Sequence, residues 1–110
     1  MLNSKIDDKL YLNDYWSNYS SSGIPLPSGY RELFIELCAY YDGKYICHTF
    51  HFLKSQLRSV SKQYVGGHYY SNVDNSLYAI TLTNTNISNM LAIMDSGTYA
   101  IDVEFVIYYK

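Results

Sequence analysis

The feature that most constrains this chain is a pair of strand-like runs, Leu33–Tyr40 and Lys44–Phe52, joined at Asp42-Gly43. Asp-Gly between alternating apolar runs is the strongest short hairpin signal, because a two-residue primed turn needs residues that tolerate positive φ. A two-residue turn fixes the register by arithmetic: Tyr41 faces Lys44, Ala39 faces Ile46, Leu37 faces His48, Ile35 faces Phe50 and Leu33 faces Phe52. One face of the hairpin is then almost wholly apolar and must lie against a core. The other pairs Tyr40 with Tyr45, Cys38 with Cys47, Glu36 with Thr49 and Phe34 with His51. A slip of one residue would send one strand's apolar set to the wrong side.

After Gly29 the chain continues in this style, with strands expected at Gln63–Val65 and His68–Tyr70 around a Gly66-Gly67 bend, then at Leu77–Thr83 and Met90–Met94. A long run from Thr98 to Tyr109 alternates with period two, placing Tyr99, Ile101, Val103, Phe105, Ile107 and Tyr109 on one face and Asp102 and Glu104 on the other. Lys54–Ser59 reads as a loop or one helical turn. Turn residues at 72–76, 84–86 and 95–97 recur at sandwich spacing. The expected fold is all-β, an antiparallel β-sandwich of jelly-roll-like or Ig-like kind spanning 29–110.

Residues 1–28 read differently, as an N-terminal arm for anchoring or oligomer contact. Leu2, Ile6 and Leu10 are spaced by four, which suits a short amphipathic helix, whereas Lys9–Leu12 could equally be an extended segment pairing with a sheet edge. Ser17–Gly23 reads as loop, and Pro25 and Pro27 forbid a central strand there. Leu10, Tyr11, Tyr15 and Trp16 cannot bury one another within so short a piece, so they are assigned to docking, on this domain or on a neighbour.

Apolar residues make up 48% of the 110-residue chain, enough for a folded core and too many for disorder. No apolar run reaches the length of a membrane span, and the first residues lack the apolar stretch of a secretory signal, so synthesis in a cytoplasm is expected. The eight basic residues are scattered and net charge is −2, which argues against nucleic-acid binding. Fourteen of the 19 aromatic residues are tyrosine. A core of this size prefers Leu, Ile, Val and Phe, so the excess points to a contact surface, for which tyrosine offers area, a polar tip and few rotors.

Chemistry-bearing patterns are sparse. His48 and His51 are three apart on a strand, hence on opposite faces and unable to chelate together; no metal site and no cofactor is expected. Asp102 and Glu104 would stand about 7 Å apart on one strand face, a spacing some carboxylate pairs use, but a solvated face is the plainer reading and no catalytic residues are assigned. The chain is read as non-enzymatic. Cys38 and Cys47 fall opposite each other at a non-hydrogen-bonded pair, close enough to bridge. The alternatives are a disulfide formed outside the cell and two packed thiols, which a cytoplasm would keep reduced.

The segment Tyr30-Arg31-Glu32-Leu33-Phe34-Ile35-Glu36-Leu37, the stretch Gly66-Gly67-His68-Tyr69-Tyr70-Ser71 and the ending Val106-Ile107-Tyr108-Tyr109-Lys110 resemble the β-rich C-terminal domains of bacteriophage fibre and receptor-binding proteins, over 29–110. The resemblance implies a virion fibre component, a homotrimer of sandwiches, that touches a host surface glycan or protein and joins other virion proteins through its arm. Exposed aromatic and amide residues in turns, namely Trp16, Tyr19, Tyr69, Tyr70, Asn72 and Asn75, are the expected receptor contacts. A capsid or tail decoration protein without a receptor, or a small intracellular protein-binding inhibitor, are the other expectations.

Overall fold

A computed structural model describes residues 8–41, 43–68, 76–94 and 99–110. Its strands are β1 (Lys9–Tyr15), β2 (Ile24–Pro25), β3 (Glu32–Tyr41), β4 (Lys44–Leu53), β5 (Lys62–His68), β6 (Ser76–Leu82), β7 (Asn86–Met94), β8 (Tyr99–Ile101) and β9 (Glu104–Tyr109). Single 3-10 turns follow β1, at Trp16–Asn18, and β4, at Lys54–Gln56. The first sheet has the order β1-β9-β3-β4; the second has the order β2-β7-β6-β5, with β8 also on β7. Every pairing is antiparallel, and the two sheets face each other as a β-sandwich.

The β3–β4 hairpin has the register that its turn dictates, from Tyr41 opposite Lys44 to Glu32 opposite Leu53. Its apolar face is the inner layer: Leu33, Ile35 and Leu37 are fully buried, with Phe50 and Phe52 beside them. Phe105 and Ile107 of β9 complete this layer, and Tyr78, Ile80, Leu82, Ile87, Met90, Ala92 and Met94 of the second sheet oppose it. Ile87 and Met90 are an odd number of residues apart yet both buried, because the register of β7 against β6 shifts beside Leu82. Such a bulge inserts one residue and restores the apolar face on either side.

Two sequence expectations are corrected. Residues 99–109 form two strands, since β8 belongs to the second sheet and β9 to the first. Between them the Asp102 carboxylate accepts hydrogen bonds from the backbone N–H of Ser17 (3.1 Å) and Val103 (2.8 Å), and Val103 C=O accepts from Trp16 N–H at 2.7 Å. These bonds satisfy the backbone where the ladder breaks, and Val103 stays buried, so the alternation continues across the change of sheet.

Gly66-Gly67 is not a bend either; β5 runs through it. Gly66 faces inward beneath the His48 ring, where a Cβ would come within 2.2 Å of Nε2, and Gly67 has φ +149° against the Ser76 carbonyl. Glycine is needed there so that another group can approach the strand.

In residues 9–28 the extended alternative for Lys9–Leu12 is the one observed, within a strand paired to β9. These residues supply the edge strand β1, the turn and β2, and Trp16 lies in the core at 7% exposure. Ile24, also buried, pairs with Ile87 on the edge of the second sheet. The Tyr11 hydroxyl donates to the Pro25 carbonyl, tying β1 to β2 across the sandwich edge. Trp16 and Ile24 find their burial on their own domain, whereas Leu10 and Tyr15 stay exposed.

Candidate functional site

Side chains of the first sheet that point away from the core form rows across its strands. Leu10, Tyr108, Phe34 and His51 make one row; Asn13, Val106, Glu36 and Thr49 the next; Tyr15, Glu104, Cys38 and Cys47 the third. Tyr40 and Tyr45 stand beyond it, next to the hairpin turn. Three tyrosines here are open to solvent, Tyr40 at 70%, Tyr45 at 55% and Tyr15 at 51%. They converge on one end of the face because β1 and β4 flank the shared centre β9-β3.

Specific partners hold this face. The Tyr45 hydroxyl donates to the Glu104 carboxylate. That bond, with partial burial and nearby negative charge adding to it, pushes the Tyr45 phenol up to about 12. The phenol is therefore a neutral donor through the physiological range. At the other end Phe34 and His51 stack with centroids 4.3 Å apart, and His51 Nε2 meets the Glu32 carboxylate at 2.8 Å. Between these clusters Cys38 and Cys47 are joined as a disulfide with Cα atoms 4.1 Å apart. Of the two alternatives left open by the sequence, the structure has the bridge. It ties β3 to β4 directly beneath Tyr40 and Tyr45, so those rings are presented on a cross-linked hairpin.

The Glu36 carboxylate lies within 4.8 Å of both sulfur atoms. Each sulfur is bonded to the other and has no thiolate to offer, so the group as it stands does not fit a metal ion. Asp102 accepts from two backbone N–H groups and Glu104 from the Tyr45 hydroxyl. His48 points inward, edge-on to Phe50 at 4.8 Å, while His51 points outward, as the strand period requires.

The residues assigned to contact from sequence separate into three groups. Trp16 is in the core and presents no surface to a partner, a correction that follows from its hydrogen bond to Val103 and its burial. Tyr19 is half-buried, edge-on to Phe105 at 5.9 Å, and burial followed by the Asp14 charge pushes its phenol up. Tyr69, Tyr70, Asn72 and Asn75 lie outside the described residues. Of the proposed docking residues, Tyr11 packs edge-on to Tyr109 at 6.1 Å, whereas Leu10 and Tyr15 remain exposed.

Sequence reasoning did not gather Tyr15, Tyr40, Tyr45 and Glu104 into one cluster. The Tyr40–Tyr45 half was available from the hairpin register. The Glu104 half depends on β9 lying against β3, a pairing that no local signal encodes.

No family model, curated protein or solved structure matches this chain.

Proposed function

We propose that this protein is a non-enzymatic attachment module of the virion-fibre kind, which meets a host surface protein or a neutral glycan with the outer face of its first sheet. The carrying observation is the exposed cluster of Tyr15, Tyr40 and Tyr45 at the Glu104 end of the face, with Tyr40 and Tyr45 on a disulfide-linked hairpin. Rings with restricted motion lose little entropy on contact, and a flat phenol covers the apolar face of a sugar while its hydroxyl and a carboxylate meet sugar hydroxyls. Self-association belongs to the same reading. Two rows of the second sheet's outer face are aliphatic, Val65 with Ala79 and Leu91 and Leu77 with Ile93, beside an uncharged polar row of Gln63, Thr81 and Asn89. A largely aliphatic face without charge suits a subunit contact, and a second copy of this chain is its occupant.

Labelled protein on an array of neutral glycans and on host cells should bind, and Tyr40→Ala/Tyr45→Ala should lose at least ten-fold in signal while keeping the same melting behaviour. Mass spectrometry of purified particles should find the chain. A chain absent from particles, or a double variant that binds as well as the parent, overturns the reading. A decoration protein would instead be found in particles with no glycan or cell signal.

A further inference from the structure

The basic residues are scattered in sequence, but the fold collects them. Arg31 N–H donates to Lys110 C=O at 2.5 Å, and Lys54 N–H donates to Arg31 C=O at 2.9 Å. The Lys54 ammonium sits 5.0 Å from the centre of the Tyr30 ring, whose hydroxyl donates to Asn84 C=O at 2.7 Å. Asn84 N–H in turn donates to Arg58 C=O at 2.8 Å. Lys62 lies opposite Leu82, and Lys9 opposite Tyr109, at this same end of the strands. Six basic residues thus share one end of the sandwich. The described carboxylates near them are Asp8 and Glu32, and Glu32 is already engaged by His51. Among the described residues Lys44 alone is basic at the opposite end, where Asp14, Asp102 and Glu104 stand.

Two cavities open on the basic end. One, of about 300 Å³, is lined by Gln56, Arg58, Ser61, Lys62 and Tyr64 among others. Its neighbour, of about 210 Å³, is lined by Ser28, Lys54, Asn84 and Thr85 among others. Each combines a cation with amide and hydroxyl groups, and the Asn84–Arg58 hydrogen bond makes them adjacent. Neither offers a free ring for a nucleobase to stack on, as single-strand binding requires. Tyr30 is 3% exposed, and Tyr64 packs edge-on to Phe52 at 4.9 Å with the Lys62 ammonium 5.4 Å from its ring centre.

We propose that this end is a binding site for a linear anionic polysaccharide. Its sulfate, phosphate or carboxylate groups fall at Arg58 with Lys62 and at Lys54, and its hydroxyls meet Gln56, Ser61, Ser28, Asn84 and Thr85. The site is separate from the phenol-bearing face and does not depend on what that face binds. Clustered cations raise the local concentration of a polyanion and steer its approach, an effect that salt screens.

The test is binding of the full chain to heparin, polygalacturonate and a phosphomannan, with neutral dextran and a (dT)20 oligonucleotide as references, at 50 and 200 mM salt. At least one anionic polysaccharide should bind more tightly than both references, and which one binds identifies the anionic group. Affinity should fall on the order of ten-fold over that salt range. Arg58→Ala/Lys62→Ala and, separately, Lys54→Gln should each weaken binding at least five-fold, whereas Tyr40→Ala/Tyr45→Ala should leave it unchanged. The proposal is overturned by no binding to any polyanion, by (dT)20 binding tightest, or by basic-end variants that bind as the parent does. Because Lys54→Gln alters one exposed side chain, it keeps the test open should the double variant fail to fold.

Discussion

The two outer faces of the sandwich are built by the same alternation and carry opposite chemistry. On the first sheet the face holds Tyr15, Tyr40, Tyr45 and Tyr108 with Glu36 and Glu104. On the second it holds Val65, Ala79 and Leu91 in one row, Leu77 and Ile93 in the next, and the uncharged polar Gln63, Thr81 and Asn89 on the other side of the first. Val65 is 61% and Leu77 45% exposed, and the chain from Leu77 to Met94 contains no charged residue. The tyrosines also point differently: the second sheet turns Tyr64 and Tyr78 inward, against Phe52 and the Ile46 carbonyl. A face of neutral phenols beside carboxylates suits a partner that must be recognised. A largely aliphatic face without charge suits a copy of itself, since no like charges meet across a two-fold or three-fold contact.

Breaking the second face should give the largest effect. Leu77→Lys places an ammonium within the proposed subunit contact, and a buried unpaired charge costs about 3–5 kcal/mol. Association should weaken more than a hundred-fold, so that sedimentation equilibrium reports a protomer where the parent reports an oligomer. Tyr40→Lys, on the first face, should leave the parent mass unchanged. Equal masses for parent and Leu77→Lys would remove the contrast between the faces.

The first face should respond instead to loss of its cross-link. Cys38 and Cys47 are nine residues apart, and closing a loop of that size in the unfolded chain corresponds to about 2.6 kcal/mol. The Cys38→Ala/Cys47→Ala variant should melt about 10 °C lower, and reducing the parent with a dithiol should have the same effect. The oligomer mass should persist in both, because the second face has no cysteine. An unchanged melting temperature would mean that the strand ladder alone fixes the hairpin.

Why one face was partly legible in the sequence and the other was not follows from the range of the contacts. The β3–β4 hairpin was readable residue by residue because its turn and alternation lie within 22 positions, and one register alone sorts Leu33, Ile35 and Leu37 from Phe34, Glu36 and Cys38. The chain's jump between sheets at Asp102 was not readable, since Val103 keeps the period-two pattern that an unbroken strand would show. The fit of Gly66 beneath His48 likewise needs the two sheets to be stacked. Tyr45 and Glu104 are 59 residues apart, and the basic end is assembled from six separate places in the chain. Trp16 misled for the opposite reason: an aromatic in a serine-rich segment reads as surface, and its burial depends on Val103 offering a backbone carbonyl at the change of sheet.

The smallest effects, at high pH, separate an inward tyrosine from an outward one. Tyr78 and Tyr45 are both pushed up to about 12, Tyr78 by burial and Tyr45 chiefly by its bond to Glu104. In the unfolded chain a tyrosine titrates near 10. Below pH 10 both states keep the protons and the full contribution to stability is present. Between pH 10 and 12 the unfolded chain releases protons that the folded chain retains, so stability falls as pH rises through that window. Tyr78→Phe should make this fall shallower and should cost about 1 kcal/mol at pH 7, because the Ile46 carbonyl loses its donor. Tyr45→Phe should also make the fall shallower but cost well under about 1 kcal/mol at pH 7, since solvent competes at an exposed pair. Urea unfolding at pH 7, 10 and 11.5 reads both quantities. If Tyr45→Phe were the costlier change at pH 7, the first face would be a structural element of the fold rather than a surface held ready for contact.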